Sequence, residues 1–158
     1  MPAELKKNKP EYIYIDSKQM QTYKDLEKKI NIIAGKYQEF VGPVSKHNVE
    51  PIYFDIELNE GKEFNFELSS THNSFIYLVD GDIKIGDQTH EPIQNSKLII
   101  LNKEKNLDVL ALKNSKFLLI SGKPIGEPIA RGGPFVMNTE AEIQEAIQDF
   151  HNGTFAKY

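Results

Sequence analysis

His72 opens the stretch HNSFIYLVDG, and its type and position suit it to chemistry better than any other residue in the chain. An imidazole near the mouth of a β-barrel can hold a divalent metal, contact a small ligand, or satisfy backbone groups where a strand begins. A metal site needs three or more converging ligands with oriented partners behind them. The groups that could join His72 are Glu67, just upstream, and His90, in the polar stretch QTHEP. A backbone hydrogen bond at the strand start needs a single partner and is the expected role. Contact with a small molecule in the barrel mouth is the third option. His47 and His151 lie in polar surroundings and read as surface residues.

Other catalytic patterns are weak. Asp55, Glu57, Glu63 and Glu67 alternate with apolar residues, as expected of solvated strand faces. No glycine-rich phosphate loop leads from a strand into a helix, and no serine sits in a nucleophile elbow. The chain has no cysteine, which excludes disulfides, thiolate catalysis and thiolate zinc sites. Arg131 is the single arginine and stands beside Gly132-Gly133-Pro134-Phe135. A planar bidentate donor there suits a structural clamp on a carboxylate, with anion binding as the alternative. Phe64 and Phe66 face inward on one strand and read first as core. A cavity lined by Phe64, Phe66, Phe75 and Tyr77 would instead make the chain a small-molecule binder.

These residues need a scaffold, and the hydrophobic pattern supplies one. Ile52, Phe54, Ile56 and Leu58 alternate with polar residues; Asn59-Glu60-Gly61 turns the chain, and Phe64, Phe66 and Leu68 repeat the alternation. Ile30 to Tyr37 reads as a strand, and Tyr12 to Ile15 as a short apolar start. The polar stretch Asp16 to Lys29 between them reads as loop. Phe75 to Val79 is continuously apolar, which places it mid-sheet, and Asp80-Gly81-Asp82 carries a hairpin signal. Three further strands, Lys97 to Leu101, Leu107 to Leu112 and Lys116 to Ser121, follow at short, even spacing. That cadence predicts an all-β sandwich or barrel.

Beyond Gly122 the character changes. Pro124, Gly126, Pro128, Gly132, Gly133 and Pro134 predict an extended crossing rather than a central strand. Thr139 and Glu142 have capping-box spacing, and Ile143, Ala146, Ile147 and Phe150 form one helical stripe that Gly153 can end. Burying Ile143, Ile147 and Phe150 at about 1.5–3 kcal/mol each predicts a helix docked on the barrel.

At 158 residues the chain is expected to be one domain with a sizeable core. Its net charge of −4 and scattered lysines argue against direct nucleic-acid binding. No apolar run is long enough to span a membrane, and MPAELKKNKP lacks the apolar core of a signal peptide. The expected location is cytoplasmic.

The segment from Gly122 to Thr139, GKPIGEPIARGGPFVMNT, followed by the acidic EIQEAI helix, resembles the C-terminal signature of the pirin family. MPAELKKNKPEY resembles the stretch linking pirin's two halves, IIAGKYQEFVGPV the opening of its second half, and HNSFIYLVDG its central barrel strand. The Gly132-Gly133 pair departs from the pattern, in which the first position is usually bulky. The resemblance implies a cupin-type barrel (a double-stranded β-helix or jelly roll) with a C-terminal α-helix. Its expected parts are a linker-like 1–11, a barrel over 12–122, an extended crossing over 123–139 and a helix over 139–152.

Pirins are bicupins, and this chain resembles the second barrel alone. The family's iron site belongs to the first barrel and uses an His-x-His pair, a further His and a Glu. Those paired positions fall here on Glu67 and Ser69, which implies that this barrel holds no metal; iron or another divalent metal on Glu67, His72 and His90 is the alternative. The expected function is a non-catalytic, metal-free scaffold that packs against a second cupin barrel. That barrel is either another copy, giving a homodimer, or a separate pirin N-terminal-like cupin, met partly through Arg131, Gly132, Gly133, Pro134 and Phe135. The rivals are a quercetinase-like dioxygenase and a small-molecule-binding cupin.

Overall fold

The computed structural model describes residues 1–44, 48–86, 91–94 and 96–155. The chain divides into two compact units, one formed by residues 14–124 and the other by 1–13 with 125–158.

Among the described residues the larger unit holds twelve strands: β1 (Gln21–Lys24), β2 (Lys28–Ala34), β3 (Lys36–Tyr37), β4 (Phe40–Val41), β5 (Ile52–Leu58), β6 (Glu63–Glu67), β7 (Asn73–Asp80), β8 (Asp82–Ile85), β9 (Ile93–Gln94), β10 (Lys97–Ile100), β11 (Asn106–Ala111) and β12 (Ser115–Gly122). Six form one sheet in the order β1-β2-β5-β12-β7-β10, and four form a second in the order β6-β11-β8-β9. Period-2 alternation puts Ile30, Ile32, Phe54, Ile56, Leu58, Ile76, Leu78, Phe117 and Leu119 on the inner face of the first sheet. Phe64, Ile83, Leu107, Val109 and Ala111 come from the second, and all belong to one core cluster. The all-β expectation and the jelly-roll layering are therefore seen directly.

Local differences from the sequence reading have physical reasons. Tyr12 to Ile15 forms no strand, and Tyr12, Ile13 and Tyr14 are exposed. The supposed loop from Asp16 to Lys29 instead holds β1, because backbone pairing with β2 outweighs its polar side chains. Thr22 faces Asn31 across that pair and donates a 2.9 Å hydrogen bond to its side chain. β1 is an edge strand, where polar residues are welcome. The strand expected from Ile30 to Tyr37 breaks at Gly35, whose φ of +85° separates β2 from β3.

Asp80-Gly81-Asp82 is not a hairpin. β7 pairs with β12 and β10, β8 pairs with β11 and β9, and the turn carries the chain from one sheet to the other. Gly81 has φ +91°, and a Cβ there would strike the Ser115 hydroxyl and the Asn114 carbonyl. β7 does lie mid-sheet in the hydrogen-bonding plane, but only its Ile76 and Leu78 face is fully covered.

In the smaller unit the expected crossing contains a β-hairpin, β13 (Ala130–Gly132) and β14 (Phe135–Met137), followed by α1 (Glu140–His151). Thr139 Oγ1 accepts from the Glu142 N–H, while the Glu142 carboxylate accepts 2.8 Å bonds from the Asn138 and Thr139 N–H groups. The capping box is thus complete. Ile143 and Ala146 bury against Phe135, with Ala130, Met137 and Ile147 around them. Phe150, expected to be buried, is instead 62% exposed, with its ring edge toward Phe135. The Ile143 side chain occupies the space a Cβ on Gly132 would need, which is a physical reason for the glycine where a bulky residue was expected.

Two outcomes test this account. Phe64→Ala should cost about 3–5 kcal/mol in denaturant unfolding, as a fully buried aromatic does, whereas Tyr77→Ala on the outer face should cost about 1 kcal/mol or less. The Glu142 carboxyl is held below its ordinary value chiefly by the Asn138 and Thr139 N–H bonds. A depressed carboxyl stabilises the fold above its unfolded pKa and loses that contribution as pH falls through the folded one. Acidification below about pH 4.3 should therefore loosen α1 in the wild type. In Glu142→Gln that acid-dependent loss, followed by helical circular dichroism, should shrink.

Candidate functional site

The β6–β7 connection turns tightly at Ser69 to His72, where the His72 N–H donates to the Ser69 carbonyl at 3.0 Å. This places the imidazole against the end of β12. Its Nδ1 lies 3.3 Å from the Ser121 hydroxyl, which is itself 2.8 Å from the Ser74 hydroxyl. Ser121 and Ser74 are a register pair of β12 and β7, and all three side chains are buried. Glu50 Oε2 stands 3.8 Å from His72 Nε2. The His72 carbonyl accepts from Lys103 Nζ at 2.7 Å, and the same ammonium donates to Asn73 Oδ1. At 3.8 Å the Glu50 carboxylate is beyond hydrogen-bond reach of the imidazole, so these groups form no continuous proton relay. Ser121, moreover, is only 3% exposed and cannot meet a substrate as a nucleophile.

The other sequence candidates lie elsewhere. Glu67 is three-quarters exposed and points to Lys105 at 3.9 Å. His90 lies outside the described residues, as does His47. Glu67 thus faces Lys105, while His72 faces Ser121 and Glu50. Among the described residues no three His, Asp or Glu side chains cluster as metal ligands do.

The four aromatics also separate. Phe64 and Phe66 join Tyr37, Phe54 and Phe117 in a stack inside the barrel. Phe75 and Tyr77 take the alternate positions on β7 and face the opposite side of the sheet from Ile76 and Leu78. Phe64 and Phe66 thus face the core while Phe75 and Tyr77 face outward, so the four do not line one cavity. In the smaller unit Arg131 is exposed on β13, Gly132 is half-buried, Gly133 and Pro134 are exposed at the hairpin turn, and Phe135 is buried. Among the described residues no carboxylate lies within ion-pair distance of Arg131.

Two features emerge only in the folded chain. One is the outward face of the six-stranded sheet. Cross-strand register there sets Tyr53, Ile120, Phe75 and Ile100 in one row and Leu118, Tyr77 and Leu98 in the next. The other is a cleft of about 480 Å³ where β10 meets the lip of the second sheet, floored by Leu68, Ile99, Leu101 and Leu107. The unbroken apolar run from Leu98 to Leu101 hints at both. Which face is covered depends on non-local strand pairing that no local pattern encodes.

Residues 53–156 match the Pirin C-terminal cupin domain. The chain is 38% identical over 107 residues to pirin of Rattus norvegicus, covering 64% of this chain and 36% of that protein. It is 27% identical over 157 residues to a pirin-like protein of Caulobacter vibrioides, covering 98% and 56%. Its fold superposes on quercetin 2,3-dioxygenase from Acinetobacter baumannii with a TM-score of 0.85 at 28% identity, covering 99% of this chain and 55% of that one. The chain spans about half the length of the curated relatives it matches. A two-sheet jelly roll whose chain matches the family's domain from Tyr53 through the hairpin and helix belongs to the pirin family, as its C-terminal cupin domain.

Proposed function

We propose that this cupin is a scaffold and interaction module, works without a metal of its own, and packs against a second cupin barrel. The observation that carries this reading is the outward face of the six-stranded sheet. Leu98 is 59% and Ile100 73% exposed there, beside Tyr53, Tyr77 and Val79. Toward one end of the face the apolar rows give way to charge: Lys29 pairs with Glu57 at 3.4 Å, and Lys116 lies 3.5 Å from Asp55 and 3.8 Å from Glu57. An aromatic and aliphatic centre with a polar margin is the anatomy of a protein interface. Relatives about twice as long leave room for a partner barrel, and a second copy can supply one through a self-complementary two-fold contact. The candidate ligands Glu67 and His72, each engaged elsewhere, support the metal-free part of the reading.

The likeness to the Acinetobacter baumannii dioxygenase favours a second reading, in which the chain serves a metal-dependent oxygenation. Metal analysis by plasma mass spectrometry, after expression with iron, manganese, nickel and zinc available, separates the two. Less than about a tenth of an equivalent of any metal retires the second reading; a stoichiometric metal lost in His72→Ala overturns the first.

For the interface itself, light scattering at micromolar concentration should give a dimer. Leu98→Lys with Ile100→Lys should give a monomer with an unchanged circular-dichroism spectrum, its melting temperature lowered only by the stabilisation the dimer contact supplied and no longer dependent on protein concentration. A wild-type monomer under these conditions would refute self-association.

A further inference from the structure

We propose that the cleft at the barrel seam binds a small amphipathic cation: an apolar ring or chain carrying a single amine or amidinium group. This site adjoins the outward sheet face at Ile100, but it rests on different observations and does not depend on the reading above.

The cleft's floor is apolar. Leu68 and Leu107 are each 3% exposed, and Ile85, Ile93, Ile99 and Leu101 are half-buried around them against the main core. These side chains belong to both sheets, so the cleft opens where the lip of one sheet stops short of the edge strand of the other. Its volume of about 480 Å³ suits a mono- or bicyclic ligand.

Among the described lining residues the charged side chains over the opening are Glu91 and Glu104, with no lysine, arginine or histidine. The Asn102 side-chain amide donates 2.8 Å to Glu104 Oε1 and orients that carboxylate without neutralising it. Asp108 also borders the cleft, but its carboxylate accepts from Asn65 on the outer face of the second sheet, opposite Leu107. The lysines that flank Glu104 in sequence point to other partners: Lys103 donates to His72 and Asn73, and Lys105 faces Glu67. An apolar floor beneath the carboxylates of Glu91 and Glu104 is complementary to an apolar body with a positive head. The same body with a negative head meets repulsion at the rim.

The test is a titration of the isotope-labelled full chain, followed by amide shifts in two-dimensional NMR, with tryptamine and indole-3-acetate as a matched cation and anion. Tryptamine should saturate and move amides at Ile99 to Leu101 and Asn106 to Asp108, with indole-3-acetate leaving them in place. Exchanging both exposed rim residues, Glu91→Gln with Glu104→Gln, should weaken tryptamine about three- to tenfold while the rest of the spectrum stays unchanged. Raising the salt to about 0.5 M should weaken it further. Equal shifts from the two indoles, tryptamine shifts centred away from the cleft, or full affinity in the double variant would each overturn the assignment.

Discussion

The larger unit is organised around an aromatic stack that joins its two sheets. Phe64 and Phe66, one apart on β6, lie nearly parallel at 6.1 Å, and Tyr37 stacks on both at 6.0 and 6.3 Å. Phe54 from β5 and Phe117 from β12 then meet them edge-on at 5.2 and 5.9 Å. Offset and edge-on contacts of this kind add about 0.5–1.5 kcal/mol each beyond the area they bury. The larger effect is geometric. Two sheets pack about 10 Å apart, and rings from both sides fill that separation. A slip of one residue in β6 would turn Phe64 to solvent and replace it with a charged or amide side chain. The registers of β6 with β11 and of β11 with β8 are fixed by the same requirement.

A core filled in this way decides where chemistry can happen. Fully buried Phe54, Phe64, Phe117, Ile76 and Leu78 occupy the inner faces, and polar groups concentrate where the alternation ends. His72 illustrates the point. It stands at the start of β7, beyond the last inward apolar position, and a buried imidazole there requires polar neighbours. Ser121, Ser74 and Glu50 supply them. The seam cleft has the same origin. β9 and β10 are short, and Ile93, Ile99 and Leu101 beside them are left half-covered.

Much of this was legible in the sequence, for identifiable reasons. Alternation from Ile52 to Leu68 located two strands because each has one face in the core. The Thr139 and Glu142 box located the helix start because its partners lie within four residues. What stayed hidden was non-local. Asp80-Gly81-Asp82 carries hairpin chemistry, yet β8 finds its partners on β11 and β9, and the turn becomes a corner between sheets. Phe75 and Tyr77 look like core because the run is apolar throughout, and only the cross-strand register shows their face to be the outer one. Phe150 continues the helical stripe, but the three-residue strands of the hairpin are too short to cover it. His72's partner Ser121 and that serine's own partner Ser74 come together through strand pairing across 47 residues of chain.

The outward face follows from the same alternation as the core, and its composition calls for a separate explanation. Every residue that places Ile76 or Leu78 inside forces a neighbour outside, and nothing in the core demands that those neighbours be Phe75 and Tyr77. On β5, β2 and the start of β12 the equivalent positions are Asp55, Glu57, Asn31, Lys29 and Lys116, as a solvated sheet would have. On β7 and β10 they are aromatic or aliphatic instead. An exposed apolar edge invites unwanted pairing with other chains, and charged residues on the edge strand oppose it. Lys97, at the start of β10, stands where it can do so, while Leu98 and Ile100 remain available on the face. Blocking growth through the edge while keeping the face apolar is the arrangement that the flat docking proposed above would require.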